Sequence, residues 1–347
     1  MADEAFQRRL ERVLLGGQRS YTRLQVAELA GVSEERTRQL WRALGFAAVP
    51  NDQVVFTDAD VEAVRIADGM IDAGVFDQEL ETAVTRALGL HLSRLAEWQA
   101  DLLWSLVREH PELAADEQRL TELVETLVPQ LERVQSFVWR RHLVAYAGRA
   151  LAVPDEDLEA RTQVVGFVDM VGYTRMTRRI DENELGDVLE RFEALATEVV
   201  AEGRGRVVKM IGDEVLFVAD SPAEAAEIAL TLTERTSTDD ELPPVRAGLA
   251  SGRVLSRFGD VYGETVNLAS RLTSIARPGT ILVDRTLAKA LTGDPAYELR
   301  SRRSASVRGY SRIRPAALRR ARGQSGSSDS GPQAADLLGL APRRGRR

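Results

Sequence analysis

The stretch VVKMIGDEVLFVA, Val207 to Ala219, constrains the fold most. Two strand-like runs flank Gly212, and that pattern specifies a hairpin with a tight turn. A hairpin needs the glycine. It does not need the adjacent carboxylates Asp213 and Glu214, or an ammonium group, Lys209, four positions before the first of them. The charge at this turn therefore points to chemistry, and a second stretch supplies a partner. Gln163 to Asp169, QVVGFVD, reads as a buried strand with Asp169 at its carboxyl end, where α/β layers place their sites. Asp169 and Asp213 lie 44 positions apart (213 − 169). One helix and one strand fit between them, and in a β-α-β-β arrangement the end of the first strand then lies beside the hairpin turn. Asp169 as a mere helix cap is the competing reading on its own segment.

Two bare carboxylates brought that close repel, and one takes up a proton unless a cation intervenes. The chain has no cysteine and only three histidines, His91, His110 and His142. A thiolate or imidazole metal site is thereby disfavoured, and hard oxygen ligands select Mg²⁺ or Mn²⁺. Two such ions activate an attacking oxygen and neutralise a triphosphate during in-line displacement. After the strand, Gly172 and the amides that follow it are suited to cradling a phosphate. A third stretch, FGDVYGETVNLASRL, Phe258 to Leu272, places Asn267 and Arg271 four apart on one helix face, with Asp260 just ahead. That pair suits ribose hydroxyls and charge developing on a phosphoryl group. Singly, Asn267 reads equally as a cap and Arg271 as a surface ion-pair partner.

Composition divides the 347 residues into three parts. Residues 1–150 read as almost entirely helical, residues 151–160 as a linker, and residues 161–318 as alternating strands and helices. Residues 319–347 are rich in Gly, Ser, Pro and Arg, and are expected to be disordered because they bury too little apolar surface to offset ordering. The net charge of −7 argues against general nucleic-acid coating. The absence of cysteine, of an apolar leader and of any apolar run near the ~20 residues of a membrane span points to a cytoplasmic protein.

Within the first part, YTRLQVAELAGVSEERTRQLWRALGF has helix-turn-helix spacing. Leu24, Val26, Leu29 and Ala30 form the expected apolar face of the first helix, Gly31 marks the break, and Ser33 caps the second helix. Leu40, Trp41 and Leu44 supply that helix's buried face, and 51–57 suit a small wing. Residues 21–74 resemble the helix-turn-helix of MerR-type regulators. Arg36, Arg38 and Arg42 would meet phosphates in a DNA reader, but Glu34 and Glu35 stand where the backbone would approach. A helical scaffold reused for protein contacts is the favoured reading, and DNA is not an expected partner. Long amphipathic helices follow, with Pro111 and Pro129 expected to punctuate them. His142, beside Arg140 and Arg141, reads as a surface histidine; a switch on mild acidification is the alternative.

FVDMVGYT, KMIGDEVLF and GDVYGETVNLASR together resemble the three signature stretches of class III nucleotidyl cyclases. The resemblance implies an α+β fold: a ferredoxin-like βαββαβ catalytic domain preceded by an all-α regulatory domain. It also implies a homodimer with active sites at the interface. It assigns metal binding to Asp169, Met170 and Asp213, with two divalent cations, Mg²⁺ or Mn²⁺. Lys209 and Asp260 match the pair that reads adenine, Asn267 the ribose-positioning residue, and Arg271 the transition-state stabiliser. Phe167, Gly172, Tyr173 and Thr174 are implied in substrate binding. Arg308, in VRGY, stands where the family commonly has a lysine on the terminal phosphates. The implied reaction is ATP to 3′,5′-cyclic AMP and pyrophosphate, regulated by the N-terminal helices acting through the helix around Val134 to Ala150. A small molecule or lipid is the kind of regulator a helical bundle takes, and the sequence names none.

Three rival readings remain. A diguanylate cyclase would carry a Gly-Gly-Asp-Glu-Phe turn, which is absent. A guanylate cyclase would need the opposite hydrogen-bond pattern at positions 209 and 260. A DNA-binding regulator would use Tyr21 to Gly74, with the cyclase-like half as its sensor.

Overall fold

In the computed structural model, residues 4–75, 77–114, 116–152, 160–307 and 310–321 are described. The chain divides into two compact units, Met1–Pro154 and Asp155–Arg347. Most of the linker expected at 151–160, Arg308, and the tail from 322 onward lie outside the described residues.

The first unit is helical: α1 (Glu4–Leu14), α2 (Arg23–Ala30), α3 (Glu34–Ala43), α4 (Asp58–Asp72), α5 (Gln78–Glu109), α6 (Pro111–Ala114) and α7 (Glu117–Ala152). The helix-turn-helix boundaries follow local chemistry. Thr22 and Gln25 form a capping box on α2, Gly31 ends it at φ 76°, and the Ser33 hydroxyl accepts from the Arg36 amide at 3.1 Å. The expected buried faces are met in part: Val26, Ala30, Leu40 and Trp41 pack inward. Val26, Phe56 and Val61 form a small core, whereas Leu24 and Leu29 are 46% and 44% exposed. In place of a wing, residues 51–57 contribute a single bridge between Tyr21 and Phe56. Pro111 opens α6 as expected of a first-turn proline, but Pro129 lies inside α7 and does not end it. His142 is an exposed residue whose ring stacks near Tyr146.

The second unit is α+β. Its elements are β1 (Ala160–Met170), α8 (Tyr173–Met176), α9 (Glu182–Glu202), β2 (Arg206–Ile211), β3 (Glu214–Ala219), α10 (Pro222–Thr238), β4 (Val245–Arg257), β5 (Asp260–Tyr262), α11 (Glu264–Ile275), β6 (Ile281–Val283), α12 (Arg285–Leu291), β7 (Tyr297–Ser301), β8 (Ala305–Val307), β9 (Tyr310–Ile313) and β10 (Ala316–Arg320). The order β2-β3-β1-β4, all antiparallel, is the ferredoxin-like βαββαβ core, and β6, β10 and β7 extend the sheet. The ordered domain runs past Leu318, since Arg320 on β10 pairs with Glu227 and Glu234 of α10.

Strand alternation sorts side chains onto two faces. Val164, Val168, Val215, Phe217, Ala247 and Leu249 pack with α9, α10 and α12. Val165, Phe167, Leu216, Val218 and Ala250 face the other way, toward Ala269 of α11. α11 lies close on β4 because Gly248 has no side chain; a Cβ there would stand 2.2 Å from the Thr273 amide nitrogen. That close approach fixes the helix that carries Asn267 and Arg271.

Candidate active site

The alternation that builds the core also aims the charged groups. Asp169 shares the parity of Val165 and Phe167, so it emerges on the α11 face at the end of β1. The register pairs Asp169 with Glu214 on β3 and with Arg246 on β4, and both share that face. The hairpin turn has Gly212 at φ +63° followed by Asp213, the Gly-first pattern of a type II′ hairpin. The Met170 amide donates to the Asp213 carbonyl at 3.0 Å and ties the turn to β1.

The carboxylates crowd one another. Arg246 donates Nε and Nη2 to Asp169 Oδ2, both at 2.7 Å, and leaves Oδ1 to other partners. Burial, and then the neighbouring Asp169 carboxylate, push Asp213 above the ordinary aspartate value. Burial, Asp169 and Asp213 push Glu214 up to about 7, against the pull of Arg246. Raised carboxylates beside one another are a site that favours a cation. Among the described residues, no group of three His, Cys, Asp or Glu side chains is arranged to hold a metal. The fit is to a hard ion that takes one or two carboxylates and completes its shell with water or phosphate, as Mg²⁺ does.

Asp169, Met170, Gly172, Tyr173, Thr174 and Asp213 line one open cavity of about 520 Å³. Arg175, Arg178 and Arg246 line it too, so cations face the acidic pair. Phe167 does not line the cavity: its side chain is buried in the core beneath α11, and its carbonyl accepts from the Thr273 hydroxyl at 3.4 Å. Lys209 and Asp260 stand apart from the cavity and bond to each other, Nζ to Oδ2 at 2.6 Å. Burial acts to raise the Asp260 pKa. The Lys209 hydrogen bond and the Val261 amide outweigh it and hold the carboxyl below its usual range. Asn267 and Arg271 project from the flank of α11 away from its buried Thr265, Ala269, Leu272 and Thr273. Neither side chain has a hydrogen bond or ion pair among the described residues.

Several features escaped the sequence. Strict alternation would send Lys209 into the core beside Val207. A bulge between Val207 and Lys209 changes that: Val207 and Met210 both pack on the α9/α10 side, and Lys209 turns toward Asp260. Arg246 went unnoticed because nothing marks it until strand register sets it opposite Asp169. Arg175 and Arg178 are signalled only by following Gly172 closely. Glu214, to which the sequence assigns no role, belongs to the carboxylate cluster.

Residues 159–319 match the model of the adenylate and guanylate cyclase catalytic domain, and residues 6–143 that of the adenylate cyclase regulatory domain. Over 285 residues the chain is 46% identical to an adenylate cyclase of Streptomyces coelicolor, covering 82% of this chain and 74% of that one. An adenylate cyclase of Streptomyces griseus is 45% identical over 83% of this chain and 73% of its own length. One from Glutamicibacter nicotianae is 38% identical over 88% of this chain and 80% of that one. With both halves matched in order, the chain belongs to the class III adenylate cyclases that carry an N-terminal regulatory domain. Among the described residues, no helix is long and apolar enough to cross a membrane.

Proposed function

We propose that this protein converts ATP to 3′,5′-cyclic AMP and pyrophosphate at sites shared between two copies of the chain. The observation that carries the reading is the convergence of Asp169 and Asp213 in a cavity rimmed by arginines and the Gly172–Thr174 turn. Asp169, Asp213 and the Met170 backbone would hold two divalent cations. Once bound, these supply a lowered pKa for the ribose 3′-hydroxyl and charge neutralisation on the triphosphate. The Gly172–Thr174 turn, Arg175, Arg178 and Arg246 orient the phosphates, and Arg308 is proposed for the terminal ones. Asn267 positions the ribose, and Arg271 meets the negative charge that grows at the α-phosphorus. Lys209 donates to an adenine ring nitrogen while Asp260 accepts from the exocyclic amine, a pattern that guanine reverses.

The dimer follows from what a single cavity lacks. Lys209, Asp260, Asn267 and Arg271 do not line the cavity that holds Asp169 and Asp213. A head-to-tail pair would let one copy's carboxylates meet the other's base- and ribose-binding groups. Product analysis from ATP and from GTP, with Mg²⁺ and with Mn²⁺, tests the reading; cyclic AMP is expected to dominate. Asp213→Ala is expected to cost at least about 100-fold in kcat while circular dichroism stays unchanged. A variant that retains full activity with Mn²⁺ overturns the assignment.

Control by the N-terminal unit is proposed to pass through the segment Val134 to Ala150 of α7. The full chain and the 155–347 fragment are then expected to differ in specific activity or in its pH profile; identical profiles count against it. A DNA-reading role finds an obstacle in Arg36, which is buried and bonded to the buried Glu81 instead of facing outward.

A further inference from the structure

Asp260 and Lys209 sit on elements that no backbone ladder joins among the described residues. β2 lies at one end of the strand order, and β5 pairs with β4. Their separation is therefore set by side chains and by turn geometry. The β4–β5 turn is unusual: Arg257 pairs with Asp260, and the two residues between them, Phe258 and Gly259, have φ of +51° and +83°. Positive φ at both central positions is the pattern of a type I′ turn, which favours Asn-Gly. A phenylalanine in the left-handed region is costly and persists only where its surroundings hold it. Two contacts bear on this turn. The Arg257 guanidinium lies over the Phe258 ring, 5.2 Å from its centroid. Arg206, the first residue of β2, donates Nη1 to the Gly259 carbonyl at 3.3 Å. Arg206 and Lys209 thus reach from one strand to successive residues of one turn, on either side of the bulge that re-aims Lys209.

We propose that Arg206 is a positioning residue for purine selection: by holding the Phe258–Gly259 turn against β2, it fixes the spacing of Lys209 and Asp260. The proposal rests on the reading of those two residues as the base readers. Two hydrogen-bonding groups discriminate adenine from guanine only while both are held at the edge of one ring. Without the Arg206 contact, a turn in a strained conformation has more freedom to let Asp260 shift relative to Lys209. Arg206 itself need not touch the nucleotide.

The test is steady-state kinetics of the full-length wild type, Arg206→Gln and Arg206→Lys, with ATP and with GTP and Mn²⁺, alongside thermal melting. In Arg206→Gln the ratio of kcat/KM for ATP to that for GTP is expected to fall about 3- to 10-fold, the scale of one net hydrogen bond. The fall should appear mainly in the KM for ATP, and Arg206→Lys, which keeps a charged donor on a side chain long enough to reach where the glutamine amide is too short, should recover part of it. An unchanged ratio overturns the proposal. So does an equal loss with both nucleotides accompanied by a lower Tm, since that is a general structural role. Should the glutamine variant not fold, the lysine variant carries the same comparison. A wild type that makes no cyclic AMP removes the base-reading premise itself, and is told apart from failure of the Arg206 proposal by that control.

Discussion

Glu214 is an ordinary hairpin residue by sequence and a strained one by environment. Its carboxyl shares a sheet face with Asp169 and stands next to Asp213, so the ionised form is disfavoured in the folded protein. The consequence has a definite sign. A group raised in the folded state contributes stability that is full below its unfolded value of 4.5 and is lost as pH climbs to about 7. Glu214→Gln removes that loss. The metal-free variant is therefore expected to melt higher than the wild type above pH 7 and to match it near pH 4.5. Discounted for partial exposure, the gain is on the order of 1–2 kcal/mol, or about 2–6 °C. Melting curves from pH 4.5 to 8 in chelator check it; parallel curves for the two proteins would refute it. Mg²⁺ should narrow the difference, because a cation favours the ionised carboxylates that crowding disfavours. The meeting of Asp169 and Asp213 was legible from residue type and spacing, since two carboxylates on a strand end and a hairpin turn point to one place; Asn267 and Arg271 stood out only as a pair at helical spacing, and their roles are proposed. Glu214, Arg246 and the aim of Lys209 were not legible, because their roles exist only once strands pair.

At the scale of elements, local chemistry and tertiary packing divide the N-terminal unit between them. Gly31 and Ser33 mark the end of α2 and the start of α3 correctly because caps act within one turn. The choice of buried face belongs to packing: Val26 is covered, while Leu24 and Leu29 are not. Pro129 shows the same limit, since a proline inside a 36-residue helix is carried by the helix around it. Arg36 joins α3 to α5 through Glu81, with Asp68 of α4 nearby at 3.5 Å. Arg36→Met leaves Glu81 charged and buried without its partner, and should destabilise this unit by about 3–5 kcal/mol. The double variant Arg36→Met/Glu81→Leu should return close to wild type, because the desolvation penalty goes with the charges. Thermal unfolding of the single and double variants decides. A single variant as stable as the wild type would mean that the pair is solvated.

For the whole molecule, the division of groups between one cavity and the rest of the domain makes a prediction about stoichiometry. Asp213→Ala and Arg271→Ala should each be inactive alone. Mixed in equal amounts under exchanging conditions, half of the dimers carry both variants, and each mixed dimer has one intact site of two. Activity should then recover to about a quarter of wild type. No recovery, in a mixture shown to have exchanged subunits, would mean that each site is built within one chain.

The sequence by itself determined the class of chemistry and the two-part plan. Carboxylates on a strand end and a hairpin turn, an Asn/Arg pair at helical spacing, and a change from 3.6-residue to two-residue periodicity are all local patterns. Local patterns survive without knowledge of the fold. The tertiary structure decided which groups meet. Strand register set Arg246 and Glu214 on Asp169, one bulge turned Lys209 out of the core, and a strained turn held Asp260 in front of it. The contacts Asp169–Arg246 and Lys209–Asp260 join residues far apart in the chain, and the aim of Lys209 depends on a one-residue shift that reverses a side chain's face. Sequence spacing carries no record of that shift, and only the paired strands reveal it.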